Sequence, residues 1–408
     1  MLLLVMFRPD VMPISAQAIN PLAPAAIEAG FTFELVASDL AFPMGMLVLP
    51  DGSLLVATSP SEGGNFYEST GEIVRLVDSD GDGSLDERSV VATDLPGSLV
   101  AIARYESTIM VTSASGGSEG ITFLQASESW DEPLTPLGEL GFGFVGALHQ
   151  SYALAVRASQ GSADAFDLFF NIGAGGNDTD GANARLNGLL TGVLPPSSVY
   201  MTTVTAQDAA VSLTEPVQVA RGLRNASTLL IHPDTGDLWI GDNGIDGLQE
   251  PIIAFSADEV NIVPAGDIGT TLIDFGFPSS YVESATGAVV GDDTALALFL
   301  PLDGSEAEGI AGMVLVPDSF PDGFAGGLLA GFHGQFDLTG IENEENPVRF
   351  VDPETGDQLD LISNDAPDIG HLDSMTASED VIFIADFCAT SMFASTECGI
   401  IYRFAVLD

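Results

Sequence analysis

Lysine is absent from this chain: all 10 basic side chains are arginine, set against 59 acidic ones, for a net charge of −49 over 408 residues. Such a chain repels nucleic acid and anionic membrane, and it has no basic groove for a polyphosphate. Cysteine is nearly missing too, with Cys388 and Cys398 the only two, and there are only four histidines and two tryptophans. Two cysteines make a poor metal site. They are close enough to clip a hairpin as a disulfide in an exported protein, or else to stand as a pair of buried thiols. No apolar run is long enough to cross a bilayer. A His-Glu-x-x-His pair and a phosphate loop are both lacking, which disfavours a zinc protease of that type and a nucleotide hydrolase.

What the chain does have is apolar matter, 46% of its residues with a mean hydropathy of +0.31, enough for a sizeable core. The acids are spread along its whole length, which fits the hydrated surface of a halophilic or marine extracellular protein better than a single acidic binding face. Residues 1–18 begin with an apolar stretch and end in Ala16-Gln17-Ala18, a small-x-small cleavage pattern. Arg8 and Asp10 interrupt the stretch and no basic segment precedes it, so it fits a signal peptide whose start is either missing or misassigned. Secretion or export to a periplasm is the expectation. From about residue 25 to 408 no Pro/Ser-rich linker divides the chain, which reads as a single domain.

One phrase recurs along that domain: an apolar strand, a short polar turn, and a second apolar strand ending in small or acidic residues. It occurs at Phe42–Thr58, Ser98–Thr112, His149–Gly173, Asn225–Gly244, Ile310–Gly334 and His371–Asp386. In the fourth, Pro233 and Gly236 punctuate the turn between Thr228–Ile231 and Leu238–Ile240. Convincing long amphipathic helices are missing. The same hairpin six times at variable spacing predicts an all-β chain folded as a six-bladed β-propeller, one hairpin per blade. Phe31–Ala37 is expected to complete the blade that ends in Ile400–Val406 and so close the ring.

Several groups of residues are candidates for chemistry. Asp78, Asp80 and Asp82 alternate through a Gly-rich turn, as hard oxygen ligands for calcium do, with Asp86 or Glu87 expected to close the shell. Ser89 stands where a full EF-hand loop has glutamate, and the expected role is structural. Gly175–Gly181 reads as an acidic Gly/Asp turn or else a second cation site, and Glu342–Asn346 as a solvated acidic face. His232 belongs to a surface turn, whereas His149, His333 and His371 stand at the edges of apolar strands in three different hairpins. In a propeller such edges meet at the mouth of the axial channel. Arg224 and Asn225 precede the fourth hairpin. An imidazole there can take a substrate proton while a guanidinium stabilises a developing oxyanion.

Together, FPMGMLVLPDGSLLVAT, GEIVRLVDSDGDGSLDE, the His149-Gln150 strand start, GLRN at Gly222–Asn225, TGDLWIGDNG, ADEVN at Ala257–Asn261, FGFP at Phe275–Pro278 and GFHG at Gly331–Gly334 resemble the glucose/sorbosone dehydrogenases, typified by soluble quinoprotein glucose dehydrogenase. The resemblance runs from about residue 30 to the end and implies a six-bladed propeller that oxidises a sugar or polyol by hydride transfer to pyrroloquinoline quinone (PQQ), with calcium beside the cofactor and an external electron acceptor. It places His149 as general base, Arg224 as the guanidinium on the quinone carbonyl and Asn225 as its amide neighbour. The backbone at Gly244 and Ile245 falls where carbonyl oxygens hold the cofactor calcium. His333 falls near the family's cofactor-binding lysine, and His371 among its late arginine pair. Ser227 replaces a family glutamine, and Ala174 replaces an acidic partner of the base. Two other readings keep the same fold: a calcium-stabilised binding module without PQQ activity, and a metal-dependent lactonase-like hydrolase.

Overall fold

A computed structural model describes residues 21–114, 119–143, 153–162, 164–207, 209–245, 255–292, 295–300, 309–334, 347–363, 372–387 and 398–407. Among them the only α-helix is Pro24–Glu28; nearly everything else regular is strand. The strands form six blades, antiparallel but for the short parallel pairing of Ala220–Arg221 with Ile273–Asp274, each with the predicted hairpin as its two innermost strands. Blade one runs outward through Gly45–Val48, Leu54–Thr58, Gly71–Val77 and Glu87–Leu95. Blade two begins with Leu99–Tyr105 and Thr108–Ser113, and blade three with Leu154–Ala158 and Ala165–Ile172. Blade four is Ala226–Ile231, Leu238–Asp242, Asp258–Val263 and Ala297–Phe299. Blade five starts with Ile310–Leu315 and Leu328–Phe332, and blade six with Leu372–Ala377 and Val381–Asp386.

The first strand of the chain closes the ring. Phe31–Leu40 pairs antiparallel with Gly399–Val406, Phe31 opposite Val406 and Phe33 opposite Phe404, so blade six takes its outermost strand from the N-terminal end. Each innermost strand touches the next around the axis, and that of blade six returns to that of blade one. A narrow axial channel remains, lined by Met44, Met46, Ala101, Leu154, Thr228 and Met375 among others.

Sequence and packing explain one another here. The second strands, such as Leu54–Thr58 and Val381–Asp386, are buried at every position. With a neighbouring blade on each face they have no side for water, so they read as unbroken apolar runs and not as alternation. Adjacent blades interlock large residues into glycine notches. Met375 of blade six lies over Gly312 and Gly331 of blade five, and Met313 of blade five over Gly241 of blade four. Each fully buried apolar side chain of this size contributes about 1.5–3 kcal/mol relative to exposure.

In every blade the inner strand starts, and the second strand ends, at the same face of the ring. Buried polar groups collect there. Ser59 at the end of blade one accepts the Leu99 N–H of blade two at 2.9 Å, and Asn171 accepts the Ala153 N–H within blade three, also at 2.9 Å. These side chains satisfy backbone donors at strand starts that no ladder reaches, which a buried position demands.

Candidate active site at the channel mouth

Arg224 and Asn225 stand at that face, immediately before the inner strand of blade four, and both are buried, at 3% and 7% exposure. Their backbone is gripped from below. Asp242, which ends the next strand, accepts the Asn225 N–H at 2.7 Å and the Arg224 N–H at 3.0 Å, one on each carboxylate oxygen. Burial pushes the Asp242 carboxyl up to about 7, against the opposing pull of the two N–H groups and of the Arg224 charge, while nearby Asp258 raises it further.

The Arg224 side chain is held from the side by the Gly175–Gly181 turn. Its Nη2 donates to Asn177 Oδ1 at 2.8 Å and its Nε to the same atom at 3.1 Å, while the Asn177 carbonyl accepts Nε at 3.2 Å. Ala174 N–H returns a bond to the Arg224 carbonyl at 2.9 Å. Two glycines make the turn this tight. Gly181 has φ +80°, and a side chain on it would overlap the Gly175 backbone. The acidic turn of the sequence is therefore the holder of the arginine. Neither Asn177 nor Asp242 was legible as a site residue, because each is tied to Arg224 only by the fold.

Asn243 and Gly244 continue the rim. The Asn243 carbonyl accepts Arg224 Nη1 at 3.3 Å, and its side-chain oxygen accepts the Ser227 hydroxyl at 3.2 Å. Ser227, in place of the family glutamine, also donates to the Ile310 carbonyl of blade five. The two backbone positions expected to serve calcium differ. The Ile245 carbonyl accepts the N–H groups of Phe255 at 2.7 Å and Ser256 at 3.0 Å. The Gly244 carbonyl accepts no backbone N–H among the described residues. Asp258, 1% exposed, takes the Gly244 N–H at 2.6 Å and the Gly309 N–H at 2.7 Å.

His333 follows directly on blade five. Its N–H donates to the Gly309 carbonyl at 2.9 Å, and its ring lies 6.2 Å from that of Phe387. Arg224, Asn225, Asn243, Gly244, Gly309 and His333 thus form one continuous stretch of rim. His149 and His371 lie outside the described residues, as do Cys388, Glu342–Asn346 and the leader at 1–18. His232 is in the surface turn expected of it, its Nδ1 facing the N–H groups of Asp234 and Thr235.

The acidic loop is elsewhere, on the outside of the ring, between the third and fourth strands of blade one. Carboxylate oxygens of Asp78, Asp80 and Asp82 lie within 4.8 Å of one another. Asp86 is not in that group; its two oxygens take the Ser79 N–H at 2.9 Å and the Ser79 hydroxyl at 3.0 Å, which holds its carboxyl below the usual range. The loop is fastened to the closing strand, since Leu85 N–H donates to the Val36 carbonyl at 2.9 Å.

No family model and no curated protein matches the sequence. Solved structures do match. The holo PQQ domain of pyranose dehydrogenase from Coprinopsis cinerea aligns over 94% of this chain and 96% of its own, with TM-score 0.59 and 14% identity. The calcium structure of a Trichoderma reesei carbohydrate-active enzyme of family AA12 aligns over 93% and 96%, with TM-score 0.55 and 15% identity. The PQQ-bound aldose sugar dehydrogenase of Streptomyces coelicolor aligns over 92% and 99%, with TM-score 0.51 and 14% identity. The chain has the propeller fold of these sugar dehydrogenases. At such identities the likeness is one of fold, and chemistry has to be argued from the rim of this sugar-dehydrogenase-like propeller itself.

A quinone bearing three carboxylates asks two things of such a rim: a cationic donor beside its carbonyl oxygens, and counter-charge for the carboxylates. Arg224 meets the first. Beside it Asn225 Oδ1 is buried with no hydrogen-bond partner among the described residues, an arrangement that folded interiors otherwise avoid. Because an amide meets donors or acceptors by rotation, this group suits a ligand's polar edge. His333 adds an imidazole to the same rim, its N–H bonded to the Gly309 carbonyl. The described part of the rim therefore fits the quinone end of the cofactor.

Proposed function

We propose that this propeller is an exported sugar or polyol dehydrogenase that uses PQQ, with calcium beside the cofactor. The observation that carries the reading is the pair Arg224–Asn225: a buried guanidinium and a buried amide whose Oδ1 has no partner among the described residues, presented together at the channel mouth on a backbone clamped by Asp242. Bound PQQ would supply the two-electron acceptor, taking a hydride from the substrate carbon. The chain's own residues do the rest. Arg224 stabilises negative charge developing on the accepting oxygen, and it does so from a fixed position inside a buried, low-dielectric rim. Asn225 orients the same edge. His149 takes the hydroxyl proton, so that the alcohol loses one hydride and one proton and leaves as carbonyl product. An external acceptor then removes the two electrons. The Gly244 carbonyl is the rim oxygen offered to calcium there, and Asp78, Asp80 and Asp82 hold a second, structural calcium.

The surrounding assignments belong to the same proposal. Residues 1–18 act as leader, 25–408 as one domain, and Cys388 pairs with Cys398 after export. The decisive experiment adds PQQ and calcium to the purified protein and follows the quinone absorbance and dye reduction with aldoses. The reading requires both signals, with dye reduction abolished by His149→Ala in a protein that still folds. A propeller that gains neither signal is no quinoprotein. The second reading, a binding module that keeps the fold, draws on the same rim: the Arg224 guanidinium is already engaged by Asn177, and the buried carboxylates Asp242, Asp258 and Asp386 surround this face. In that case a neutral sugar would bind without oxidation.

A further inference from the structure

We infer that Asp258 is a positioning residue that sets both halves of the mouth at once, Arg224 on blade four and His333 on blade five. The side chain begins the third strand of blade four, is 1% exposed, and holds one N–H on each oxygen, Gly244 at 2.6 Å and Gly309 at 2.7 Å. Those two donors belong to different blades and are far apart in sequence. No ladder bond joins them, so the carboxylate is the shared fastening of the seam.

Each bond fixes more than the amide it touches. In a trans peptide the N–H and the preceding C=O point in opposite directions. Drawing the Gly244 N–H inward to Asp258 therefore turns the Asn243 carbonyl outward, and that carbonyl is the one that receives Arg224 Nη1 at 3.3 Å. On the other side, Gly309 is held by its N–H to Asp258 while its carbonyl receives the His333 N–H at 2.9 Å. Gly309 has φ +72°, a conformation an L side chain rarely adopts, and a Cβ there would stand 3.6 Å from Asn243 Nδ2 and 3.9 Å from His333 Cβ. Asn243 and His333 thus meet over Gly309, and the Ser227 hydroxyl, shared between Asn243 Oδ1 and the Ile310 carbonyl, crosses the same seam. Asp242 is a different kind of support, since both of its N–H donors come from Arg224 and Asn225 and it reaches no second blade.

A buried carboxylate with two backbone donors is a stiff support, because charge-assisted hydrogen bonds are short and strong and moving either donor away leaves a desolvated charge behind. Outer supports of this sort typically change ligand affinity or activity by about 10- to 100-fold when removed. The part of the inference that names PQQ rests on the dehydrogenase reading; the part that names Arg224 and His333 does not.

The test compares Asp258→Asn with Asp167→Asn, a buried aspartate of blade three that pairs with Arg157 and Thr203 and is bonded to no rim residue. Selective 15N labelling of glycine and arginine follows the Gly244 and Gly309 amides and the Arg224 Nε–H in the protein without cofactor. In Asp258→Asn all three signals should shift and exchange faster with solvent, and the affinity for PQQ with calcium, read by titration of the quinone absorbance, should fall about 10- to 100-fold. Asp167→Asn should lower the melting temperature and leave those signals in place. If Asp258→Asn lowers the melting temperature alone, with Arg224 Nε–H and PQQ affinity unchanged, Asp258 is structural and the inference fails. Should wild type itself bind no PQQ, the cofactor reading fails while the three signals still decide the positioning claim. Should Asp258→Asn not fold, wild-type exchange decides: slow Gly244 and Gly309 amides support the inference, and fast ones overturn it.

Discussion

Asn177 Oδ1 receives the Nη2 of Arg224 at 2.8 Å across 47 residues of sequence, joining the turn after blade three to the first residues of blade four. With the Asn243 carbonyl, which accepts Nη1 at 3.3 Å, it sets where the guanidinium lies. Removing it should therefore loosen the side chain without opening the fold. Asn177→Ala should cost about 1–3 kcal/mol, the range for leaving a buried polar group unsatisfied, and should weaken PQQ binding more than it lowers the melting temperature. Chemical denaturation beside a quinone titration checks this. Equal loss in both would mean that Asn177 serves stability alone.

Asp242 predicts a pH dependence of opposite sign to the usual carboxylate. Its folded-state value lies near 7 against an ordinary 3.8, so the fold favours the protonated acid. Its contribution is fully present below 3.8 and is lost as pH rises through about 7, a window worth at most about 4 kcal/mol. Asp242→Asn, which keeps one acceptor and cannot ionise, should flatten that part of the stability curve. Denaturant midpoints between pH 4 and about 8 would show it, and a slope unchanged in the variant would assign the dependence to other groups.

Calcium should stabilise the protein through the outer loop of blade one. Where free calcium exceeds its dissociation constant about 100-fold, the gain is about 2.7 kcal/mol, and chelation removes it. Asp80→Asn should abolish the gain, whereas Asp86→Asn, at a carboxylate bonded to Ser79, should leave most of it. Calorimetric scans with calcium and with a chelator distinguish the two. An equal loss in both variants would put Asp86 in the shell.

Phe31 should be among the costliest single positions outside the mouth. Its ring is 4.7 Å from that of Phe404, 5.0 Å from Phe324 and 5.6 Å from Phe320, so it binds blade six to blade five. Phe31→Ala should destabilise by about 3–5 kcal/mol, measured by denaturation. A loss well under 1 kcal/mol would mean that the closing strand contributes little.

The six hairpins were legible because each is a local statement: an apolar run, a turn residue with a special φ, another apolar run. Closure by Phe31–Leu40 was legible for the same reason, as one leftover strand at each end of the chain. Much of the mouth was not. Asp242, Asp258 and Asn177 look like any other acids and amides in a chain with 59 acidic residues, and only partners 14 to 51 positions away distinguish them. Arg224 and Asn225 stood out through their motif, yet nothing local indicated what would hold them. The loop hydrogen bonds that the Ile245 carbonyl accepts from Phe255 and Ser256 are likewise encoded by no motif.

Blade six borrows Phe31–Leu40 from one end of the chain and Gly399–Val406 from the other. During synthesis Phe31–Leu40 therefore has no ladder partner until Gly399–Val406 has left the ribosome. Until then that strand is an unsatisfied edge on a growing polypeptide, open to wrong neighbours. Synthesis is vectorial but the ring is not, and its last fastening waits for Gly399–Val406 to emerge.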